Sequence, residues 1–190
     1  KVWDPSTGDL LHTLSWRPAN YKPVRLWDIS TGKKINLFDL ERCTSGGSGD
    51  IIVWSPTSDM LAISRGRVAA WSPDGAKLAG GNNKGKVFVW DAASGREINS
   101  FEGHASKPKS IDWSPDGTLL RTSDWADPTV RTWVVSNLNE ADSRTELGGS
   151  RSQDSDTDSG PQLLDTFFAG HGQMTCVTWS PDGDKLASCD

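Results

Sequence analysis

Short stretches of alternating apolar and polar residues, each closed by a turn signal, run along most of this chain. Alternation of period two with frequent turns predicts strands rather than helices. One kind of stretch ends in Trp and passes at once into a tight turn. Three copies are intact: Trp71-Ser72-Pro73-Asp74-Gly75, Trp113-Ser114-Pro115-Asp116-Gly117 and Trp179-Ser180-Pro181-Asp182-Gly183. Two are degraded: Trp16-Arg17-Pro18-Ala19-Asn20 and Trp54-Ser55-Pro56-Thr57-Ser58-Asp59. Pro presets φ at the first corner of such a turn, Gly accepts a positive φ at the far corner, and Asp bonds the turn's backbone. A strand resumes in Lys77-Leu78-Ala79, Leu119-Leu120-Arg121 and Lys185-Leu186-Ala187.

A second phrase recurs between these copies, in Lys1-Val2-Trp3-Asp4, Val24-Arg25-Leu26-Trp27-Asp28, Val87-Phe88-Val89-Trp90-Asp91 and, more weakly, Val130-Arg131-Thr132-Trp133. It reads as a third strand, followed by a turn such as Ala92-Ala93-Ser94-Gly95 and a fourth strand such as Glu97-Ile98-Asn99-Ser100-Phe101. Four strands in a unit of about 40–45 residues is the period of a propeller blade.

The Trp-Asp dipeptides, the pairs Gly103-His104 and Gly170-His171 and the Ser-Pro-Asp-Gly turns resemble the WD-repeat family. The resemblance touches nearly every segment except 136–161. It implies an all-β fold, here a partial β-propeller of four to five four-stranded antiparallel WD-type blades, some truncated, acting as a binding platform. It also implies a buried hydrogen-bond relay in each blade, from the His of Gly-His to a Ser or Thr of the second strand, an Asp of the next turn and the Trp of the third strand. One unit matches residue by residue, with His104, Ser123, Asp127 and Trp133; the last supplies His171 and Ser188. The unit ending at Trp90 departs from the pattern. Gly80 stands where the hydroxyl residue belongs, Lys84 where the Asp belongs, and no His precedes it, so packing should hold that blade.

The spacing of the first phrase is irregular. Its tryptophans stand at 16, 54, 71, 113 and 179, and only the step from 71 to 113 has the length of a blade. Between Trp54 and Trp71 two strands are missing, because Leu61-Ala62-Ile63-Ser64 runs almost directly into Val68-Ala69-Ala70-Trp71. Residues 1–135 therefore read as irregular blades with two truncated units, 136–161 as an insertion, and 162–190 as the rest of a blade and the start of the next. We read the chain as a fragment of a longer protein. Open strand edges in such a fragment would favour self-association.

Composition narrows the partners. The net charge of −5 lacks the basic footprint of a nucleic-acid binder. No apolar run reaches the length of a membrane span, so neither nucleic acid nor membrane is expected. Three cysteines, at 43, 176 and 189, with no close spacing argue against a disulfide scaffold. Together with the lack of an Asn-x-Ser/Thr acceptor, they favour an intracellular protein, cytoplasmic or nuclear. Residues 136–161 are acidic and rich in Ser and Gly, too polar to offset the entropy of ordering, and read as a disordered insertion. Within them Ser155, followed by Asp156 and Asp158, is a candidate phosphosite for an acid-directed kinase; the plainer reading is a tolerated surface loop.

Catalytic signals are weak. Gly80-Gly81-Asn82-Asn83-Lys84-Gly85-Lys86 imitates a phosphate-binding loop, but Val87 replaces the Ser or Thr that would hold magnesium, and the segment reads as a hairpin rather than a strand-to-helix turn. His12, His104 and His171 show no metal-ligand spacing. No catalytic, cofactor-binding or metal-binding residue is therefore expected. Two readings of function remain: a non-catalytic scaffold for protein or peptide partners, and the propeller portion of a prolyl-peptidase-like enzyme or transport-associated protein. The third-strand phrases are of the WD type and no hydrolase segment is present, which favours the scaffold.

Overall fold

A computed structural model describes residues 1–13, 24–38, 50–57, 59–65, 68–124, 126–135, 161–168 and 176–189. They form sixteen strands: β1 Val2–Trp3, β2 Leu10–His12, β3 Val24–Asp28, β4 Lys33–Phe38, β5 Asp50–Trp54, β6 Met60–Arg65, β7 Ala69–Trp71, β8 Lys77–Gly81, β9 Lys86–Asp91, β10 Glu97–Glu102, β11 Pro108–Trp113, β12 Leu119–Asp124, β13 Thr129–Val134, β14 Gln162–Phe168, β15 Cys176–Trp179 and β16 Leu186–Cys189. The strands make three four-stranded antiparallel sheets flanked by two hairpins, the architecture of a partial propeller. The degraded phrase at Trp16 and the insertion at 136–160 lie outside the described residues.

The second and third blades follow chain order, β7-β8-β9-β10 and β11-β12-β13-β14. The first blade does not: in space it runs β5-β6-β3-β4. Its inner pair is β5 and β6, and its outer pair is the earlier hairpin β3–β4. The two strands missing after Arg65 are thus supplied from upstream, and the sheet has its full four strands. The β6–β3 join has the ordinary register. Trp27 stands opposite Leu61, as Trp90 stands opposite Leu78 and Trp133 opposite Leu120. Among the described residues, hairpins β1–β2 and β15–β16 remain two-stranded.

The Ser-Pro-Asp-Gly turns owe most to a residue whose role the sequence did not reveal, the serine. Ser72 and Ser114 are buried, and each hydroxyl both donates to the turn's Asp and accepts the N–H of the residue that opens the next strand, Lys77 or Leu119. That donation is the main reason the carboxyls of Asp74 and Asp116 sit below their ordinary value. The glycines that close the turns, Gly75, Gly117 and Gly183, have φ of 71°, 71° and 79°.

Adjacent inner strands are clasped by the phrase tryptophans. The Trp71 indole N–H donates to Val53 O at 3.1 Å, and that of Trp113 donates to Ala70 O at 3.1 Å. In each case the acceptor immediately precedes the phrase Trp of the neighbouring blade. The same rings pack into the two main cores. One contains Leu26, Ala62, Trp71, Leu78, Phe88 and Trp90; the other contains Val87, Val89, Ile111, Trp113, Leu120 and Trp133.

The third junction, between β11 and β15, is built differently. The Ser110 hydroxyl sits within 3.2 Å of both Val177 N and Val177 O, and Trp179 N donates to Asp112 Oδ2 at 2.9 Å. The Arg121 guanidinium lies 3.9 Å from the Trp179 ring, whose indole nitrogen has no partner among the described residues. One expectation from the cysteines is corrected here. Cys176 and Cys189 stand opposite each other on β15 and β16, with Cα atoms 5.2 Å apart, and form a disulfide. Their spacing looked unpaired in sequence because the hairpin turn between them brings them together.

If the indole clasp joins the blades, Trp113→Phe, which keeps the ring and removes the N–H, should cost about 1–3 kcal/mol in denaturant unfolding by stranding Ala70 O. Trp179→Phe should cost well under half as much. Equal losses would contradict the clasp.

Candidate interaction surface and its buried relay

At the end of the sheets opposite the Ser-Pro-Asp-Gly turns, three connections of the second and third blades meet. They are the β8–β9 turn at 82–85, the β10–β11 connection at 103–107 and residues 126–128 ahead of β13. Asn82, buried, caps the first by accepting from Lys84 N and Lys86 N. Gly85 O accepts from both Gly103 N and His104 N, which ties the first connection to the second. Only glycine fits at 85: φ is +90°, and a Cβ would lie 1.8 Å from His104 O. Ser106 donates from its backbone N–H and its hydroxyl to Asp124, which tethers the second connection to the end of β12. Arg131 donates to Gly103 O at 2.8 Å and pairs with Asp127 at 3.2 Å. The result is one cross-braced rim with Lys84, Ala105 and Ala126 exposed on it. The segment that imitates a phosphate-binding loop is the β8–β9 hairpin of this rim.

Beneath the rim lies a buried relay, and its central hydroxyl belongs to Thr122. The Trp133 indole N–H donates to Thr122 Oγ1 at 3.0 Å, and His104 Nε2 is 2.9 Å from the same oxygen. Ser123 points to the other side of the sheet, its buried hydroxyl without a partner among the described residues. Asp127 is outside the relay and faces Arg131. The one-residue offset has a simple cause. The hairpin from Leu120 to Trp133 is one residue longer than that from Leu78 to Trp90, so counting back from Trp133 stops one residue short. Register shows the true equivalence: Thr122 opposite Ile111, Gly80 opposite Ala69 and Ser188 opposite Val177. Ser188 therefore occupies the hydroxyl position of its hairpin, while its presumed partner His171 lies outside the described residues, as does Ser155. Lys84 is an exposed turn residue of the blade without a relay.

Burial is the main cause that holds the His104 imidazole below its ordinary value of about 6.5, with the Arg131 charge second. In the neutral ring, the arrangement that uses each proton once runs from the Trp133 N–H to Thr122, and from the Thr122 hydroxyl to His104 Nε2.

Two outcomes follow. Thr122→Val should cost about 2–3 kcal/mol in thermal unfolding by stranding two buried ring nitrogens, whereas Ser123→Ala should be close to neutral and Asp127→Ala should cost no more than about 1 kcal/mol. Because the folded state resists protonation of His104, its contribution is complete above about pH 6.5 and is lost as pH falls from there towards the depressed folded value. Melting temperature should therefore decline between pH 7.5 and 5 more steeply in the parent chain than in His104→Gln. Parallel profiles would remove His104 as the cause.

Comparison with known proteins agrees with this construction. The pattern described as WD domain, G-beta repeat matches residues 95–133 and 162–190. "Cell division cycle 20.1, cofactor of APC complex" of Arabidopsis thaliana is 30% identical over 94% of this chain and 31% of its own length. "Protein FIZZY-RELATED 1" of the same plant is 35% identical over 62% of this chain and 25% of its own length. This chain thus spans a third or less of either relative. A chain of the structure titled "Crystal Structure of Mitotic Checkpoint Complex" superposes with a TM-score of 0.55 at 17% identity, covering 82% of this chain and 49% of that one, a likeness of fold alone. The matched repeats, these relatives and the clasped four-stranded blades show that the chain belongs to the WD-repeat family.

Proposed function

We propose that the chain acts as a non-catalytic scaffold that binds protein or peptide segments at the cross-braced rim of its second and third blades. The observation that carries this reading is the bracing itself. Three connections from two blades are fixed to one another through Gly85 O, Arg131 and Asp124, so the exposed residues between them are presented on a rigid base. The relatives support the same class of role, one of them being named a cofactor of a complex. Among the described residues, no group of three or more His, Cys, Asp or Glu is placed to hold a metal ion. An intracellular location is part of this proposal and rests on the relatives rather than on the cysteines, two of which are paired.

The test is selection of a random peptide library on the chain, followed by fluorescence anisotropy with the enriched peptides. Ala105→Arg together with Ala126→Arg, which block the rim without touching its braces, should weaken binding at least tenfold. Asp184→Arg, at the opposite end of the sheets, should leave it unchanged. A chain that enriches no peptide, or whose binding ignores the rim variants, would refute the proposal.

A further inference from the structure

The rim of the second and third blades has the opposite charge to the rest of the chain. Its connections and the strand ends that meet there carry five basic residues, Lys84, Lys86, Lys107, Lys109 and Arg131, against three acidic ones, Glu102, Asp124 and Asp127. The chain as a whole carries −5. At the far end of the same sheets, the turns at 72–77, 91–97, 114–119 and 180–185 hold six acids and three bases. The two ends are therefore unlike in charge, and an anionic segment is steered to the rim rather than to the turns.

The acids of the rim are engaged within it. Asp124 is fully buried and accepts from the Ser106 hydroxyl, from Ser106 N and from Ala126 N. Asp127 pairs with Arg131, and Glu102 stands opposite Lys86 across the β9–β10 ladder. Two of the remaining basic residues are brought together by Gly85. A Cβ there would lie 2.9 Å from Ser106 O, so the first two connections cross in contact at Gly85 and Ser106. Lys84 precedes Gly85 and Lys107 follows Ser106, each one Cα step of about 3.8 Å from the crossing. Ala105 and Ala126, both exposed, flank the same point and keep the rim low between the lysines.

These features fit a protein segment better than a nucleic acid. Among the described residues of the three connections there is no exposed aromatic ring on which a base could stack. A long polyanion also meets the net negative charge of the whole chain, whereas a short segment meets the rim alone.

We propose that the rim recognises acidic peptide segments, with Asp and Glu side chains of the partner set against Lys84 and Lys107. This rests on the reading of the rim as the interaction surface and names the chemistry of its partner.

The test extends the peptide selection. Peptides enriched on the chain should carry an excess of Asp and Glu over the unselected library. Replacing those residues by Asn and Gln should weaken binding at least tenfold, and raising NaCl from about 0.05 M to about 0.5 M should weaken it at least fivefold. Lys84→Glu together with Lys107→Glu should lose at least tenfold, while Lys84→Arg together with Lys107→Arg should retain binding. The peptide and salt readouts use the parent chain, so they decide the matter even where a variant fails to fold. Arginines at 105 and 126 add charge of the favoured sign, so a loss of binding in that variant reports bulk filling the rim, and the glutamate variant reports charge. Peptides that need the rim but show no excess of acid, or whose binding ignores salt and amide replacement, overturn this inference and leave the rim as the interaction surface. Peptides that ignore the variants at 105 and 126 overturn the underlying reading, and this inference with it. Tighter binding of a single-stranded oligonucleotide than of any acidic peptide also overturns it.

Discussion

The structure depends on one repeated hydrogen bond, the indole N–H of a phrase tryptophan reaching the carbonyl that precedes its counterpart in the next blade. The bond lies between inner strands, beside cores formed by the same rings, where a lost donor would leave a half-buried carbonyl unsatisfied. It demands only that each inner strand end in Trp with Ser-Pro and a tight turn behind it. It makes no demand on where the outer strands come from. This explains how Trp54 and Trp71, far too close in sequence for a blade to lie between them, still stand in adjacent sheets.

Within a blade there are two solutions to the same packing problem. In the third blade, the Trp133 N–H is satisfied by Thr122, which is backed by a neutral His104. In the second, the equivalent position is Gly80, and a Cβ there would come within 3.1 Å of the Trp90 ring. Without a side chain at 80, the Trp90 ring settles against the backbone and stacks on Phe88, with centroids 5.6 Å apart and planes within 3°. A polar relay specifies orientation; a missing side chain makes room for more apolar contact. Both rings end up almost wholly buried.

Much of this was legible in the sequence because the repeated phrases encode local events: strand alternation, the Pro and Gly corners, and the strand that resumes behind each turn. What escaped was whatever depended on register or on partners distant in the chain. Thr122 was hidden behind Ser123 by a single extra residue in a hairpin. The buried serines of the turns looked like ordinary turn residues because their importance lies in burial. Cys176 and Cys189 looked unpaired because the turn that opposes them is part of the repeat. The strand order of the first blade was hidden for a deeper reason. Chain order is the default expectation for consecutive strands, and nothing local in β3–β4 distinguishes an outer pair that follows its inner pair from one that precedes it.

The junction between β11 and β15 shows what happens when the clasp is not used. At the position of Arg121 the other sheets carry alanine, Ala62, Ala79 and Ala187, which offer nothing for an indole to stack on. An arginine there stacks its guanidinium against Trp179, whose indole does not make the bond that Trp71 and Trp113 make. The inner strands are held instead by Ser110 and Asp112, whose side chains bond the backbone of Val177 and Trp179. The corresponding positions of the second blade are Val68 and Ala70, which have no such groups to offer. Arg121, Ser110 and Asp112 therefore act as a set. The arginine removes one means of joining the sheets and the other two provide a second, so the polar junction is as specific to its place as the indole clasp is to the others.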